Sequence, residues 1–387
     1  MKRLFAFVLA LCLLGSPALA DVQSQVDAPA HVADTFRSNT GKTVISVDAA
    51  VTVPDAEKMY LIPIESMAFD DAMVSHLAEL VWPGLGSRKM KIEDENDSES
   101  VEGKQQKNKY FRHLAYILQK GARQGTADVQ AGTSFFQYAK YDAPLGASLT
   151  ASVRYDGDAV NYYSPYPHEE IKADIAGHPL TLTQAADIGD QLMHALTDQP
   201  FALFSVGQVS GRASDGEQVA GDSGLSYTLT YTCMIDSVPL LPCYGTAMNT
   251  SSFRENLYVP AAGYEQVLMV LDRTGQVTNF NWSAPYDVSG ERTEQALCPF
   301  ADVLSVARVM LPLKYQTDEI HGDVCLRVYR IALGYMAVIQ RDTLTFALAP
   351  VWNFYGYEEA ADTHADCLPL LTVSAVDGTV IDLYYGY

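Results

Sequence analysis

The C-terminal part of the chain contains one run whose alternation leaves little freedom in how it folds. From Leu344 to Phe354 the sequence reads LTFALAPVWNF. Every second residue is apolar or proline: Leu344, Phe346, Leu348, Pro350, Trp352 and Phe354. Because successive side chains of a strand point to opposite faces of its sheet, this period predicts a strand with one face in a core. We therefore expect Trp352 and Phe354 to be core residues rather than a ligand-binding box. On the other face, Asn353→Ala and Tyr355→Phe are expected to cost about 1 kcal/mol or less unless these residues are buried and hydrogen-bonded.

Helical spacing alternates with strand-like runs along the rest of the chain. Apolar stripes predict four helices, over residues 69–82, 111–123, 183–196 and 300–311. Thr181 and Gln184 have the spacing of a capping box before the third helix. Pro299 suits the first position of the fourth helix, and Pro312 predicts its end. Near the N-terminus, TVISVDAAVTVP alternates and predicts a strand with Ile45 facing a core.

Two later segments resemble each other. Each contains a predicted helix, then strand-like runs, then a strand–turn–strand that reads LMVLDRTGQV in the first segment and LLTVSAVDGTV in the second. They align on Gly275 and Gly378, where a hairpin turn needs a positive backbone angle. The sequence therefore predicts an α+β fold of antiparallel β-sheets, each packed by a helix. Two related C-terminal helix-plus-sheet units follow an N-terminal α+β domain in this interpretation.

Composition along the chain divides it into five parts. They are a signal peptide at 1–20, a flexible tail at 21–40, an N-terminal α+β domain at 41–165, and helix-plus-sheet units at 166–287 and 288–387. Inside the N-terminal domain, the stretch KMKIEDENDSESVEGKQQKNK has almost no large apolar residue. Because it cannot bury an apolar face, we predict a mobile charged loop over residues 87–109.

The start of the chain has the organisation of a secretory signal peptide. A positively charged beginning, an apolar run and the small residues of ALA precede Asp21. The alternative is cleavage before Cys12 with attachment of a lipid, but Leu11 stands where lipoprotein processing normally has a small residue. We therefore expect a secreted, extracytoplasmic protein that begins at Asp21 and has no membrane span.

The charge of the chain narrows the classes of partner. Acidic residues outnumber basic ones by 47 to 26, and the formal net charge is −21. Such a surface repels phosphate backbones and anionic lipids, so we expect no nucleic-acid partner. No motif indicates a cofactor. The partner classes that remain are a protein or peptide, or a polysaccharide.

Five cysteines follow the signal peptide, and an odd number excludes a complete set of disulfides within one chain. Cys233 and Cys243 flank a proline-containing turn and form the first candidate pair. Cys325 and Cys367 form the second pair, which leaves Cys298 free. The alternative is that all five are reduced and buried as small hydrophobic residues.

Motifs with catalytic or metal-binding potential are incomplete. The stretch GDSGLS resembles the nucleophile loop of trypsin-like serine proteases, but it lacks the second glycine and no histidine has the required setting. His168, followed by two glutamates, lacks the second histidine of a zinc-protease helix. His321 and His364 have only generic spacing for a zinc site. We predict no catalytic residue and no metal site.

The tyrosine-rich stretch NYYSPYPHEE is the binding candidate of the sequence. Tyr162, Tyr163 and Tyr166 are interleaved with prolines, which prevent a central strand or a helix. Tyrosines in such a stiffened loop offer flat, amphipathic surfaces for a sugar or a peptide. The alternative is that they fold back and cover the N-terminal domain.

Five segments carry a family resemblance: VDAAVTVP, ALCPF, IALGYMAV, PVWNFYG and LLTVSAVDGTVID. They resemble an uncharacterised domain-of-unknown-function family of secreted proteins and lipoproteins from Gram-positive gut bacteria. More distantly, the helix–sheet units resemble extracellular regulators of a cell-wall histidine kinase (YycH/YycI type) and PepSY-type domains. The resemblance implies a non-catalytic, extracytoplasmic binding or regulatory role, and it brings no catalytic residues.

These observations predict a secreted, non-enzymatic binding or regulatory protein of the cell envelope or extracellular space. The alternative is a secreted hydrolase or a carbohydrate-binding protein that acts on cell-wall or dietary polymer. The two classes differ in structure, because a hydrolase requires a cleft with converging polar groups and perturbed acid pKa values. A regulator presents broad surfaces instead.

Overall fold

The computed structural model of the chain describes residues 21–83, 91–93, 96–100, 104–120, 123–138, 141–155, 171–210, 225–242, 265–288, 290–315, 324–340, 345–359 and 369–381. Within these ranges the strands form two sheets, of nine and ten strands, and four helices accompany them. The predicted α+β class is therefore confirmed.

The strands account for most of the regular structure. In chain order they are β1 (His31–Arg37), β2 (Thr43–Thr52), β3 (Met59–Ser66), β4 (Lys91–Glu93), β5 (Asn96–Ser100), β6 (Lys104–Lys120), β7 (Arg123–Tyr138), β8 (Tyr141–Tyr155), β9 (Phe201–Ser210), β10 (Leu225–Ile235), β11 (Val238–Pro239), β12 (Gln266–Leu271), β13 (Val277–Ser283), β14 (Tyr286–Asp287), β15 (Thr293–Gln295), β16 (Val324–Gln340), β17 (Thr345–Glu358), β18 (Pro369–Ser374) and β19 (Val380–Ile381).

Sheet I joins the two ends of the described chain. Its strand order is β1–β2–β16–β17–β18–β19, and β3 pairs with β17, β14 and β15. The pairing of β2 with β16 is parallel and sets Thr43 opposite Val324, whereas the other pairings in this sheet are antiparallel. The C-terminal strands therefore hold the N-terminal strands in the sheet.

Sheet II consists of the middle strands. Its order is β11–β10–β12–β13–β8–β7–β6–β4, with β9 beside β10 and β5 beside β6. The two sheets meet after β11, where the Leu241 amide donates a hydrogen bond of 2.8 Å to the Tyr335 carbonyl of β16. A β-bridge between Leu240 and Tyr335 lies at the same place. This segment carries the chain from sheet II onto sheet I.

The helices are α1 (Val22–Val26), α2 (Asp71–Val81), α3 (Leu182–Leu196) and α4 (Phe300–Lys314). Helix α4 covers sheet I and buries Val303, Ala307 and Leu311 there, whereas α2 and α3 cover sheet II. Apolar side chains at helical spacing dictate this packing. The predicted capping box is confirmed, because Thr181 accepts a hydrogen bond from the Gln184 amide and the Gln184 side chain accepts one from the Thr181 amide.

Each of α3 and α4 is followed by four strands that pair antiparallel, β9–β10–β12–β13 and β16–β17–β18–β19. Gly275 and Gly378 have φ values of +81° and +73°, as the turn sequences predict. Strand pairing nevertheless crosses the boundary predicted at residue 165. Strands β2 and β3 pair with strands of the segment 288–387, whereas β8 pairs with β13 of the segment 166–287.

Several local predictions are wrong. The helix over 111–123 is absent, because β6 occupies that stretch and pairs with β7. Strands β4, β5 and the beginning of β6 lie in the segment 87–109, which was predicted as a mobile loop. The segment 21–40 carries α1 and β1 instead of a flexible tail, and Val22 and Val26 of α1 are fully buried.

The ends of α4 also differ from their prediction. Pro299 is the N-cap residue rather than the first helical residue. Pro312 lies inside the last turn, and the helix continues to Lys314. Proline therefore weakens this turn without ending the helix at its own position.

Candidate functional site

The two faces of β17 show whether the alternating run from Leu344 to Phe354 forms a core or a ligand-binding box. Trp352 and Phe354 are fully buried in the core beneath α4, and the Trp352 ring lies 4.9 Å from the Phe300 ring of that helix. These two residues are therefore core residues, as predicted. They are closed to a ligand.

The opposite face of β17 is buried as well, so Asn353 and Tyr355 fall under the exception for buried, hydrogen-bonded residues and are not expected to tolerate substitution. Thr372 of β18 donates a hydrogen bond of 2.7 Å to the Asn353 side chain, which in turn donates one of 3.1 Å to the Tyr355 hydroxyl. That hydroxyl donates a hydrogen bond of 3.0 Å to the Pro242 carbonyl. Alternation alone could not reveal this network, because the covering segment comes from sheet II.

A bulge in β16 places an arginine on this same face. Val328 pairs with Gly356 and Arg330 pairs with Tyr355, so the intervening Tyr329 is an extra residue in β16. Val328 and Ile331 both face the core beneath α4. The two residues between them therefore lie together on the opposite face, as a bulge re-aims side chains.

The arginine lies over two aromatic rings. The Arg330 guanidinium carbon is 4.1 Å from the ring centre of Phe204 in β9 and 5.7 Å from that of Tyr355. These two rings are 5.9 Å apart, and the rings of Tyr329 and Tyr357 are 6.2 Å apart. We call this group the arginine–aromatic cluster: Phe204, Tyr329, Arg330, Tyr355 and Tyr357. All of its members except the buried Tyr355 are half-buried.

The charge environment of Arg330 differs from that of three other arginines. Arg308 pairs with Asp34, Arg292 with Asp236, and Arg327 lies 4.0 Å from Asp48. Within the described ranges, no carboxylate lies within ion-pair distance of Arg330. A guanidinium has five N–H donors and no acceptor. Contact with the two rings restricts the guanidinium and leaves its N–H donors for an anionic group.

A second polar group, centred on Glu265, lies between the core of sheet I and the core of sheet II. The Glu265 carboxyl is 1 % exposed and accepts hydrogen bonds of 3.1 Å from the Trp282 indole and 3.2 Å from the Gln199 amide. Burial raises the pKa of Glu265 to about 8, and burial also raises the pKa of the neighbouring Cys233 thiol. Trp282 belongs to the core of sheet II and Cys233 to that of sheet I. Because the carboxyl is sealed, it cannot reach a substrate.

The binding and metal-site candidates predicted from the sequence are not tested by the structure. Tyr162, Tyr163 and Tyr166 lie outside the described residues, as do the zinc candidates His168, His321 and His364. In the described part of the chain, no three metal-ligating side chains come together. None of the helices that the structure describes is long and apolar enough to cross a bilayer.

The cysteines contradict both predicted disulfides. Cys233, Cys298 and Cys325 are free thiols, and Cys233 accepts a hydrogen bond of 2.9 Å from the Gln199 side chain. Cys233 is buried, as the alternative of reduced cysteines proposes, but Cys325 is exposed.

Arg330 and Glu265 were missed by sequence reasoning, although the sequence contains a signal for the arginine. In CLRVYRIALGY, the apolar alternation through Leu326 and Val328 shifts by one position before Ile331 and Leu333. Such a change of parity within one strand indicates a bulge. Glu265 has no comparable signal, because its burial depends on contacts from distant segments.

Comparison with known proteins gives the fold and no function. No protein-family model matches the chain, and no curated protein matches it. The chain is similar to the crystal structure of an uncharacterized protein from Eubacterium rectale, with a TM-score of 0.55 and 12% sequence identity. That similarity covers 94% of this chain and 99% of the other. At this identity it shows a shared fold alone.

Proposed function

We propose that this chain is a secreted, non-enzymatic binding or regulatory protein of the cell envelope or extracellular space. The observation that carries the proposal is the Arg330 guanidinium, which lies 4.1 Å from the Phe204 ring centre and has no carboxylate partner in the described ranges. In a chain with 47 acidic residues, such an arginine offers its donors to an external group. Its support by paired strands gives it the rigidity that recognition requires.

A hydrolase is supported less well by the same residues. Glycoside hydrolysis requires two carboxyl groups on either side of an accessible bond. Burial raises the pKa of Glu265, as a general acid requires, but its carboxyl is closed to solvent and is held by Gln199 and Trp282. We therefore assign Glu265 a structural role, in which it connects the core of sheet I to the core of sheet II.

Carbohydrate binding without cleavage is the second candidate, and the half-buried rings of Tyr329 and Tyr357 favour it.

We also propose that the chain belongs to a domain-of-unknown-function family of secreted proteins and lipoproteins from Gram-positive gut bacteria.

The test combines binding and turnover in one experiment. The chain from Asp21 is incubated with peptidoglycan and with plant polysaccharides, and both the retained protein and the released sugar ends are measured. We expect retention on one polymer, no release of new ends, and weaker retention of Arg330→Gln. Arg308→Gln is the matched control, because it removes the same charge from α4 on the other side of sheet I. Release of ends that continues with time would overturn the non-enzymatic assignment.

A further inference from the structure

We infer that the arginine–aromatic cluster binds a carboxylate-bearing sugar, a uronic acid residue of a short glycan, an inference that rests on the proposed binding function. Two features of the cluster carry it: the fixed guanidinium of Arg330 and the tyrosine pair next to it in β16 and β17. The guanidinium suits a carboxylate, and the tyrosine pair suits the sugar ring that bears the carboxylate.

The carboxylate is assigned by the shape and setting of Arg330. A guanidinium presents a planar fork of N–H donors that suits the two oxygens of a carboxylate. The Phe204 ring lies 4.1 Å from the guanidinium carbon and covers one side of the group, so an incoming anion reaches its donors from another side. Because the side chain is half-buried, water competes less for these donors than at an exposed arginine.

The sugar is assigned by the tyrosines. Tyr329 follows Val328 directly and precedes Arg330, and Tyr357 lies two residues after Tyr355 on the same face of β17. Their rings are 6.2 Å apart with an angle of 35° between their planes, and both side chains are half-buried. Such rings offer an apolar surface with a polar hydroxyl at the edge, which suits a pyranose with its C–H face and hydroxyl groups.

A peptide that binds as an added strand is disfavoured at this position. Strand addition needs a sheet edge with unpaired backbone groups. At the cluster, β16 pairs with both β2 and β17, while β17 also pairs with β18 through Tyr355. The cluster therefore lies on a sheet face, where recognition depends on side chains.

The net charge limits the length of the glycan. With a formal charge of −21, the protein repels a long polyanion such as a polyuronate. A short glycan with one or a few carboxylates gains the arginine contact without that repulsion. The acidic surface thus selects against dense polyanions that carry the same sugar.

Isothermal titration of the chain from Asp21 tests the inference with four probes: methyl glucuronide, methyl glucoside, acetate and a short acidic peptide. We expect methyl glucuronide to bind, and methyl glucoside and acetate to bind at least about tenfold more weakly, because each lacks one half of the recognised group. Arg330→Lys should weaken glucuronide binding by at least about tenfold, since it keeps the charge and loses the planar fork. Tyr357→Ala should weaken it as well, and Arg308→Gln should leave it unchanged.

The outcomes separate this inference from the proposed function. If the peptide binds and methyl glucuronide does not, the sugar assignment is wrong and a binding role stands. Equal affinity for methyl glucuronide and methyl glucoside overturns the role of Arg330. If none of the probes binds and no polymer retains the protein, both proposals fail. Thermal melts of each variant establish that its fold is intact, and Tyr357→Ala keeps the test valid if Arg330→Lys unfolds.

Discussion

Replacing Glu265 by glutamine tests how one buried carboxyl governs the stability of the fold. The side chain lies between the core of sheet I, which includes Cys233, and the core of sheet II, which includes Trp282. Its oxygens accept hydrogen bonds from Trp282 and Gln199. Glutamine has nearly the same shape and is neutral at every pH. The variant therefore removes the titration and keeps the volume.

The sign of the effect follows from the raised pKa. Burial moves the pKa of Glu265 from its ordinary value of 4.5 to about 8 in the folded chain. Between these values the folded state holds a proton that the unfolded state has released, so the free energy of unfolding falls as the pH rises. At about 1.4 kcal/mol for each tenfold change in proton concentration, the full loss is on the order of 5 kcal/mol.

Urea unfolding followed by tryptophan fluorescence measures this difference. At about pH 5 we expect Glu265→Gln and the wild type to agree within about 1 kcal/mol, and at about pH 8 we expect the variant to be more stable by several kcal/mol. Glu294→Gln is the control, because Glu294 is exposed and pairs with Lys58 at 2.7 Å. Parallel pH profiles for the wild type and Glu265→Gln would refute the reasoning.

Three further outcomes are expected. Trp352→Ala should lower the free energy of unfolding by about 3–5 kcal/mol, because it empties a fully buried site, and an unchanged thermal melt would contradict this. Asn353→Ala should lower it by about 1–3 kcal/mol, because the Thr372 hydroxyl loses its buried acceptor; a urea midpoint equal to that of the wild type argues against it. Mass spectrometry of the exported chain should place its first residue at Asp21, and a lipid on Cys12 would show that the processing prediction is wrong.

One helix cap and two turns were the parts of the fold that the sequence predicted best, because the residues that determine them lie close together in the chain. The capping box at Thr181 and Gln184 and the turn glycines Gly275 and Gly378 act within a few residues of themselves. The stretch 111–123 shows the limit of such reasoning. Its short apolar run fits a helical period as well as a strand, and pairing with β7 decides between them.

The candidate site was less open to prediction, because its members come from distant segments. Phe204 belongs to β9, whereas Arg330 and Tyr355 belong to β16 and β17. The change of parity before Ile331 indicates a bulge, but nothing in the sequence indicates which ring lies beneath the arginine. Tertiary contacts also explain why Asn353 is buried, since the Pro242 carbonyl that receives the Tyr355 hydroxyl arrives from sheet II.

The parallel pairing of β2 with β16 has a consequence for how this protein is made. During synthesis, the N-terminal strands emerge long before the strand that will flank them, since Thr43 lies opposite Val324. Until then β2 has β1 as a neighbour and an open edge on its other side. Open edges invite pairing with other chains, and such distant contacts form slowly. The newly synthesised chain is therefore most prone to aggregate before its last strands arrive, and a chaperone that covers β2 during that interval would raise the yield of folded protein.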